Sequence, residues 1–279
     1  MSSVLFDTAG PRTRARQKVY SAVTLLVIVG LLAFVVVRFN ASGQLDYAKW
    51  EPFVTPDYVV ALLQGLLETV EAAISSVLLA IVFGLVLGLG KMSDHRLVSA
   101  PAWVVVEFFR AVPVLMLMFF LFATYGGDGG LSPYWCVVIS LTLYNGSVLA
   151  EVFRAGVDAV PHGQAEAGYA IGLRKSQVMG TLLLPQAVKI MLPAIISQCV
   201  VALKDTTLGY AILAGGIVMV GKGIYLEFQN QVQTAVVLAA VFIALNMTLS
   251  WLATRVQRRL TGDRPVLQVR GDANSGTAV

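Results

Sequence analysis

The run from Val60 to Gly90 constrains the chain more than any other stretch, because its 31 residues include only two ionisable side chains, Glu68 and Glu71. About 20 apolar residues in a helix cross the hydrocarbon core of a bilayer. There every backbone N–H and C=O needs a partner within the protein, so such a run folds as a helix. Val19–Val37 carries no charge, and Val112–Tyr125 (reaching back towards Ala102), Tyr134–Val152 and Thr234–Thr254 supply further candidates. Another begins near Val188 and is interrupted by Lys204 and Asp205. The composition agrees: 57% hydrophobic and 13% charged, where soluble domains run nearer half and a quarter. The expected fold is all-α and integral to the membrane, six transmembrane helices in one bundle.

The basic segment Arg12–Lys18 before Val19 resembles the start of a signal peptide. Its apolar core is too long and no small-x-small cleavage site follows, so it reads as a retained anchor. Cys136 and Cys199 both lie in apolar runs and imply no disulfide framework. Lys and Arg placement sets orientation. With the N-terminus inside, segments 1–18, 91–111, 153–189 and 255–279 hold 16 basic residues, against Arg38, Lys49 and Lys222 outside. Both termini are expected in the cytoplasm. The expected divisions are a cytoplasmic segment 1–18, an extra helix 19–37, an external loop 38–59, a core 60–260 and a tail 261–279. The residues after Arg255, charged and rich in small side chains, read as irregular.

One segment fits the bilayer badly. Gly163–Ala187 holds Gln164, Glu166, Arg174, Lys175 and Gln177, four glycines, and Pro185 near its end. It reads as two short cytoplasmic helices. Ala167, Ala170 and Ile171 share a face in the first. Gly168 and Gly172 remove side chains where another surface could approach, and Gly172 suits a helix end. Ser176 is positioned to cap the second helix, and Pro185 to stop or bend the chain as it enters the fifth span. An ordinary helical loop and a docking knob both satisfy this spacing.

The same residues resemble the coupling signature of bacterial ABC importer permeases: EAA, three residues, G, nine residues, I-x-L-P. Here it stands as Glu166-Ala167-Gly168, then Gly172, then Leu182-x-Leu184-Pro185, with Gly163 and Gln164 just ahead. Gly168 replaces the second alanine and Leu182 the isoleucine. The resemblance spans roughly 60–260. FFRAVPVLM (Phe108–Met116) resembles the family's FRGTPLLVQ, Tyr144–Gly168 and Leu184–Leu208 resemble its polar amino acid branch, and the overall sequence, including the extra N-terminal helix and the FNASGQ segment, resembles actinobacterial glutamate permeases. The resemblance implies a five-helix permease core whose cytoplasmic coupling helix docks on a dimer of separate ABC ATP-binding subunits. ATP and Mg²⁺ would reside on those subunits and no cofactor on this chain. It also implies a second permease chain, a sister in preference to a second copy, and an extracellular substrate-binding protein. No nucleic-acid partner is implied.

Ionisable groups inside spans are functional candidates. Lys204, Asp205, Thr206 and Thr207 offer groups complementary to an amino acid's carboxylate and ammonium, or else form a structural link between helices. Adjacent helical residues do not face one another, so Lys204 and Asp205 need a break or other partners. Glu107 with Arg110, and Glu151 with Arg154, have the i, i+3 spacing of helix ion pairs. Arg110 also belongs to the resembling FFRAVPVLM motif, so a place on the substrate path stands beside the role of membrane-surface anchor. Gly84-x-x-x-Gly88 permits a close helix crossing. Gly216–Gly223 looks like a phosphate-binding loop but ends in Gly223, where Mg²⁺ binding needs a hydroxyl. His95 and His162 are isolated, so neither a metal nor a catalytic pair is supported. The rival readings are an ion-coupled secondary transporter or channel, and a membrane enzyme with no evident nucleophile.

Overall fold

The computed structural model describes residues 11–127 and 129–261, all of them helix, turn or irregular chain. In chain order the helices are α1 (Pro11–Ala41), α2 (Tyr47–Trp50), α3 (Pro56–Lys91), α4 (Arg96–Ala111), α5 (Val114–Tyr125), α6 (Pro133–Asp158), α7 (His162–Ala170), α8 (Lys175–Gln177), α9 (Leu184–Asp205), α10 (Ile217–Phe228) and α11 (Gln231–Thr261). Short 3₁₀ turns run over Glu51–Phe53 and Thr206–Ile212, and a π-helical turn over Val178–Leu183. Five helical runs are long and apolar enough to cross a bilayer by themselves, and α4 with α5 passes the same test as a pair.

Pro113 in the third span predicts a kink, and the structure has one there, far sharper than a proline alone imposes. α4 and α5 meet at a 98° bend. Val112 there is extended, at φ −81° and ψ 126°, because Pro113 pushes the residue before it out of the helical region. The fifth span is also longer than expected. Pro185 neither stops nor breaks the chain: Lys175–Ile212 is one helical run, and Pro185 occupies the first turn of α9, where its missing N–H costs little. Residues 11–18 are helical and continuous with α1, and residues 255–261, expected to be irregular, are the last turns of α11. The remainder of the expected N-terminal segment and tail, 1–10 and 262–279, lies outside the described residues.

The crossing of α3 and α6 organises the bundle. The buried residues of α3 are all small: Gly65, Thr69, Ala72, Ala73, Ser76, Ala80, Gly84 and Gly88. Their spacing of three and four makes one narrow stripe. Lipid is as apolar as leucine, so helix association depends on close packing, which small residues allow. A methyl group on Gly84 would lie 2.8 Å from the Gly146 carbonyl oxygen of α6, and one on Gly88 would lie 3.1 Å from that of Ala150. Two apolar clusters flank the crossing: one around Leu149, Phe153, Ala187 and Met191, the other around Met118, Cys136, Leu141 and Ile212. Outward faces are apolar too, with Leu78, Val82 and Val86 of α3 and Ile243 and Met247 of α11 exposed. α1 exposes Leu25, Leu26, Leu31 and Phe34. The loop after it is tied down by the Gln233 amide, which donates to Gln44, and by Asn230, which donates 2.8 Å to the Lys49 carbonyl.

Candidate functional site

Three features sit where the sequence concentrates polar residues: a helical knob, an acidic cavity and a set of ion pairs. The knob begins three residues after α6 ends, where Pro161 turns the chain into α7. Its end is a full Schellman closure: Leu173 N–H donates to the Gly168 carbonyl at 3.1 Å and Gly172 N–H to that of Tyr169 at 2.9 Å. Gly172 adopts φ +83°, a conformation glycine takes without strain. Gly168 is the one buried residue of α7. A methyl group there would meet Leu182 Cδ1 at 2.8 Å and Val178 Cγ2 at 2.9 Å. Gly168 thus lets α7 lie down on the π-helical turn of its own chain, so its smallness serves an internal contact. Gly163, Gln164, Glu166, Ala167, Tyr169 and Ala170 stay exposed, and Ile171 is 77% exposed.

The second short helix is begun differently from the expectation. Arg174 is its N-cap and donates its backbone N–H to Gln177 Oε1 at 2.9 Å; Ser176 lies inside the helix. Lys175 meets Asp94, in the turn between α3 and α4, at 2.5 Å. That hydrogen bond first, and the lysine's charge second, hold the Asp94 carboxyl below its ordinary range. Gln186 of α9 donates to Gln164 at 3.3 Å. Leu182 and Leu184 are half-buried and Pro185 is exposed. The knob is therefore stitched to the bundle on its inner side and bare on its outer side.

The cavity, of about 320 Å³, is lined by Glu68, Thr69, Glu71, Tyr134, Thr206 and Gly215, with Ala72, Val137 and Ala214. The α9 helix ends at Asp205 and tightens to 3₁₀ from Thr206, which is the local break that adjacent charges in a span call for. Thr206 and Thr207 return their hydroxyls to the carbonyls of Leu203 and Lys204, each at 2.7 Å. Of the four residues Lys204 to Thr207, Thr206 lines the cavity; Asp205 is half-buried and Lys204 exposed. No ion pair joins those two among the described residues. Arg110 lies elsewhere, beside Glu107 in the last turn of α4.

Sequence reasoning noticed Glu68 and Glu71 and gave them no task. Glu68 accepts the Gly216 N–H at 2.8 Å and Thr69 accepts that of Ile217 at 3.1 Å, so α3 caps the N-terminus of α10. A carboxylate there meets the positive end of the helix dipole. The premise applied to Lys204, that a charge within a span has a purpose, would have found both glutamates. The same contacts dispose of the phosphate-loop resemblance: Gly216 caps α10, Gly223 lies within it, and a 3₁₀ turn, not a strand, comes before.

The two i, i+3 ion pairs have contact geometry. Arg110 Nη1 is 3.4 Å from Glu107, and Arg154 Nε is 3.1 Å from Glu151, while Arg154 also reaches Asp158 at 3.0 Å. Lys91 of α3 touches both glutamates, a connection that spacing along the sequence could not reveal.

Comparison with known proteins shows the family and the fold in which these features sit. The family described as "Binding-protein-dependent transport system inner membrane component" matches residues 80–262. The glutamate transport system permease protein GluD of Corynebacterium glutamicum is 44% identical over 232 residues, covering 81% of this chain and 84% of that one. The L-cystine transport system permease protein TcyL of Bacillus subtilis is 30% identical, over 73% of this chain and 89% of that one. Among solved structures, an amino acid ABC transporter with histidines aligns at a TM-score of 0.67 and 26% identity, over 73% of this chain and 95% of that one. The inward-facing MetNI methionine transporter has the same fold, at a TM-score of 0.65 and 20% identity, over 75% of this chain and 100% of that one.

Proposed function

The chain belongs to the family of binding-protein-dependent inner membrane components, as the permease of an ABC-type amino-acid importer, and from that premise we propose that its substrate is L-glutamate. The 44% identity to a glutamate permease supports this choice over other polar amino acids. We further propose that the chain pairs with a sister permease, binds two ATP-hydrolysing subunits that hold ATP and Mg²⁺, and receives the amino acid from an extracellular binding protein. The surplus of basic residues in 1–18, 91–111, 153–189 and 255–279 supports cytoplasmic termini and a cytoplasmic knob. That topology has α4 and α5 cross once as a broken span.

One observation carries the coupling role: α7 is fixed on its inner face by Gly168, Val178 and Leu182, yet bares Glu166, Ala167, Tyr169, Ala170 and Ile171 outward. A helix seated on its inner side, with Ala167 and Ala170 set among the larger Glu166, Tyr169 and Ile171 on its bare side, fits a cleft in another protein. Gly172, Leu184 and Pro185 set its end and its link to α9, and Gly163 and Gln164 its start. Nucleotide-driven closure of the ATPases would push this knob and rock the bundle. The co-purification test uses Glu166→Lys: the ATPase should detach from the permease, and retained binding with normal transport would defeat the coupling role.

The acidic cavity is the proposed stopping place of the amino acid. Glu71 makes no side-chain hydrogen bond or ion pair among the described residues, which leaves its carboxylate for the substrate's ammonium. The hydroxyls of Thr206 and Tyr134 provide neutral partners. The substrate's carboxylates would then rely on Lys204 or on the sister chain.

A further inference from the structure

Lys91, the last residue of α3, joins three helices that the two arginine pairs leave separate. Its side chain is 7% exposed, and its ammonium lies 3.4 Å from Glu107 of α4 and against Glu151 of α6. A buried ammonium needs such partners because it has lost its hydration. The carboxylates do not need the lysine in return. Glu107 has Arg110 at 3.4 Å and Glu151 has Arg154 at 3.1 Å, each within its own helix. What Lys91 adds is a tie between helices. The α3–α6 arm is redundant, since the Gly84–Gly146 crossing already locks that pair. The distinctive arm is the one to α4, the first half of the bent span, which otherwise packs through its buried apolar residues, Ala102 beside Gly90 and Val106.

We propose that Lys91 is a positioning residue for transport, fastening α4 to the α3–α6 unit so that the bent span moves with the knob when the ATPases close. α7 leaves α6 three residues beyond Asp158, so whatever is fastened to the end of α6 shares the knob's displacement. Cutting the tie leaves the ATPase docked and cycling while the bundle follows its movement incompletely. The inference rests on the permease reading, and ATP-driven uptake by the wild-type complex is the control that fails first if that reading is wrong.

The test measures uptake and ATP hydrolysis together in vesicles holding both permeases, the ATPase and the binding protein. Lys91→Met should lower the ratio of substrate moved to ATP hydrolysed by roughly tenfold, with hydrolysis itself within about twofold of wild type. Lys91→Arg, which keeps the charge, should restore most of the ratio. Glu107→Gln cuts the α4 arm together with the Glu107–Arg110 pair, which Arg110→Gln removes alone; Glu107→Gln should give the same uncoupling where Arg110→Gln does not, and it decides the matter if Lys91→Met fails to assemble. An unchanged ratio in Glu107→Gln, or transport and hydrolysis falling in step in either variant, overturns the proposal.

Discussion

At the scale of single residues, the two glutamates of α3 separate a structural role from a functional one. Glu68 holds the start of α10, so Glu68→Gln should lower the thermal stability of the purified complex by about 1 kcal/mol, the size of a charge–helix-end contact. Glu71 makes no side-chain hydrogen bond or ion pair among the described residues, so Glu71→Gln should leave the melting temperature unchanged and reduce uptake by about tenfold. Equal effects of the two substitutions on both readouts would contradict that division. Gly168 and Gly172 separate in the same way. At Gly168 an added methyl group would overlap Leu182 Cδ1, the end of a flexible side chain, and Val178 Cγ2, on a stiff and fully buried valine. Gly168→Ala should therefore displace α7 slightly and lower uptake severalfold, whereas Gly168→Val should lift α7 off its seat and lose coupling. Gly172→Ala strains a left-handed residue by about 1 kcal/mol. The sequence announced that small residues were needed here, but not which surface they faced. That depends on how α7 folds back onto Val178 and Leu182, contacts ten and fourteen residues away.

At the scale of helices, the tight crossing of α3 and α6 is the element that the rest depends on. Gly84→Val would force a side chain against the Gly146 backbone, which cannot rotate aside, and should abolish recovery of the assembled complex from membranes. Normal recovery of that variant would show the crossing to be dispensable. Length and apolarity made most spans legible because lipid leaves the backbone no alternative to a helix. The same reasoning located Gly84-x-x-x-Gly88. It could not foresee the 98° turn between α4 and α5: a proline within an apolar run marks a disturbance, and neighbouring helices decide its size. Nor could it foresee that Lys175–Ile212 continues through Pro185, since that depends on Pro185 falling in the first turn of α9, just after the π-helical turn on which Gly168 of α7 sits. Asp94, with its carboxyl held low by Lys175, stays ionised at neutral pH. The tie between the α3–α4 turn and α8 is complete above the ordinary carboxylate range and is lost only as acid protonates Asp94 below it.

At the scale of the whole molecule, the chain is a multi-pass bacterial membrane protein whose working parts lie at different depths. The acidic cavity sits beside the first half of α3, and the ion-paired ends of α3, α4 and α6 lie about 30 Å further along the helix. The knob follows directly after them. On the proposed coupling role, this arrangement would pass movement from the ATPase subunits to the cavity, and the chain would not transport alone. The most direct measurement is uptake of labelled L-glutamate into proteoliposomes, comparing this chain by itself with the complex of both permeases, ATPase subunits and binding protein. The predicted result is accumulation by the full complex that requires ATP and is lost with Glu166→Lys. Glutamate uptake by the chain alone, or by the complex without ATP, would contradict the account.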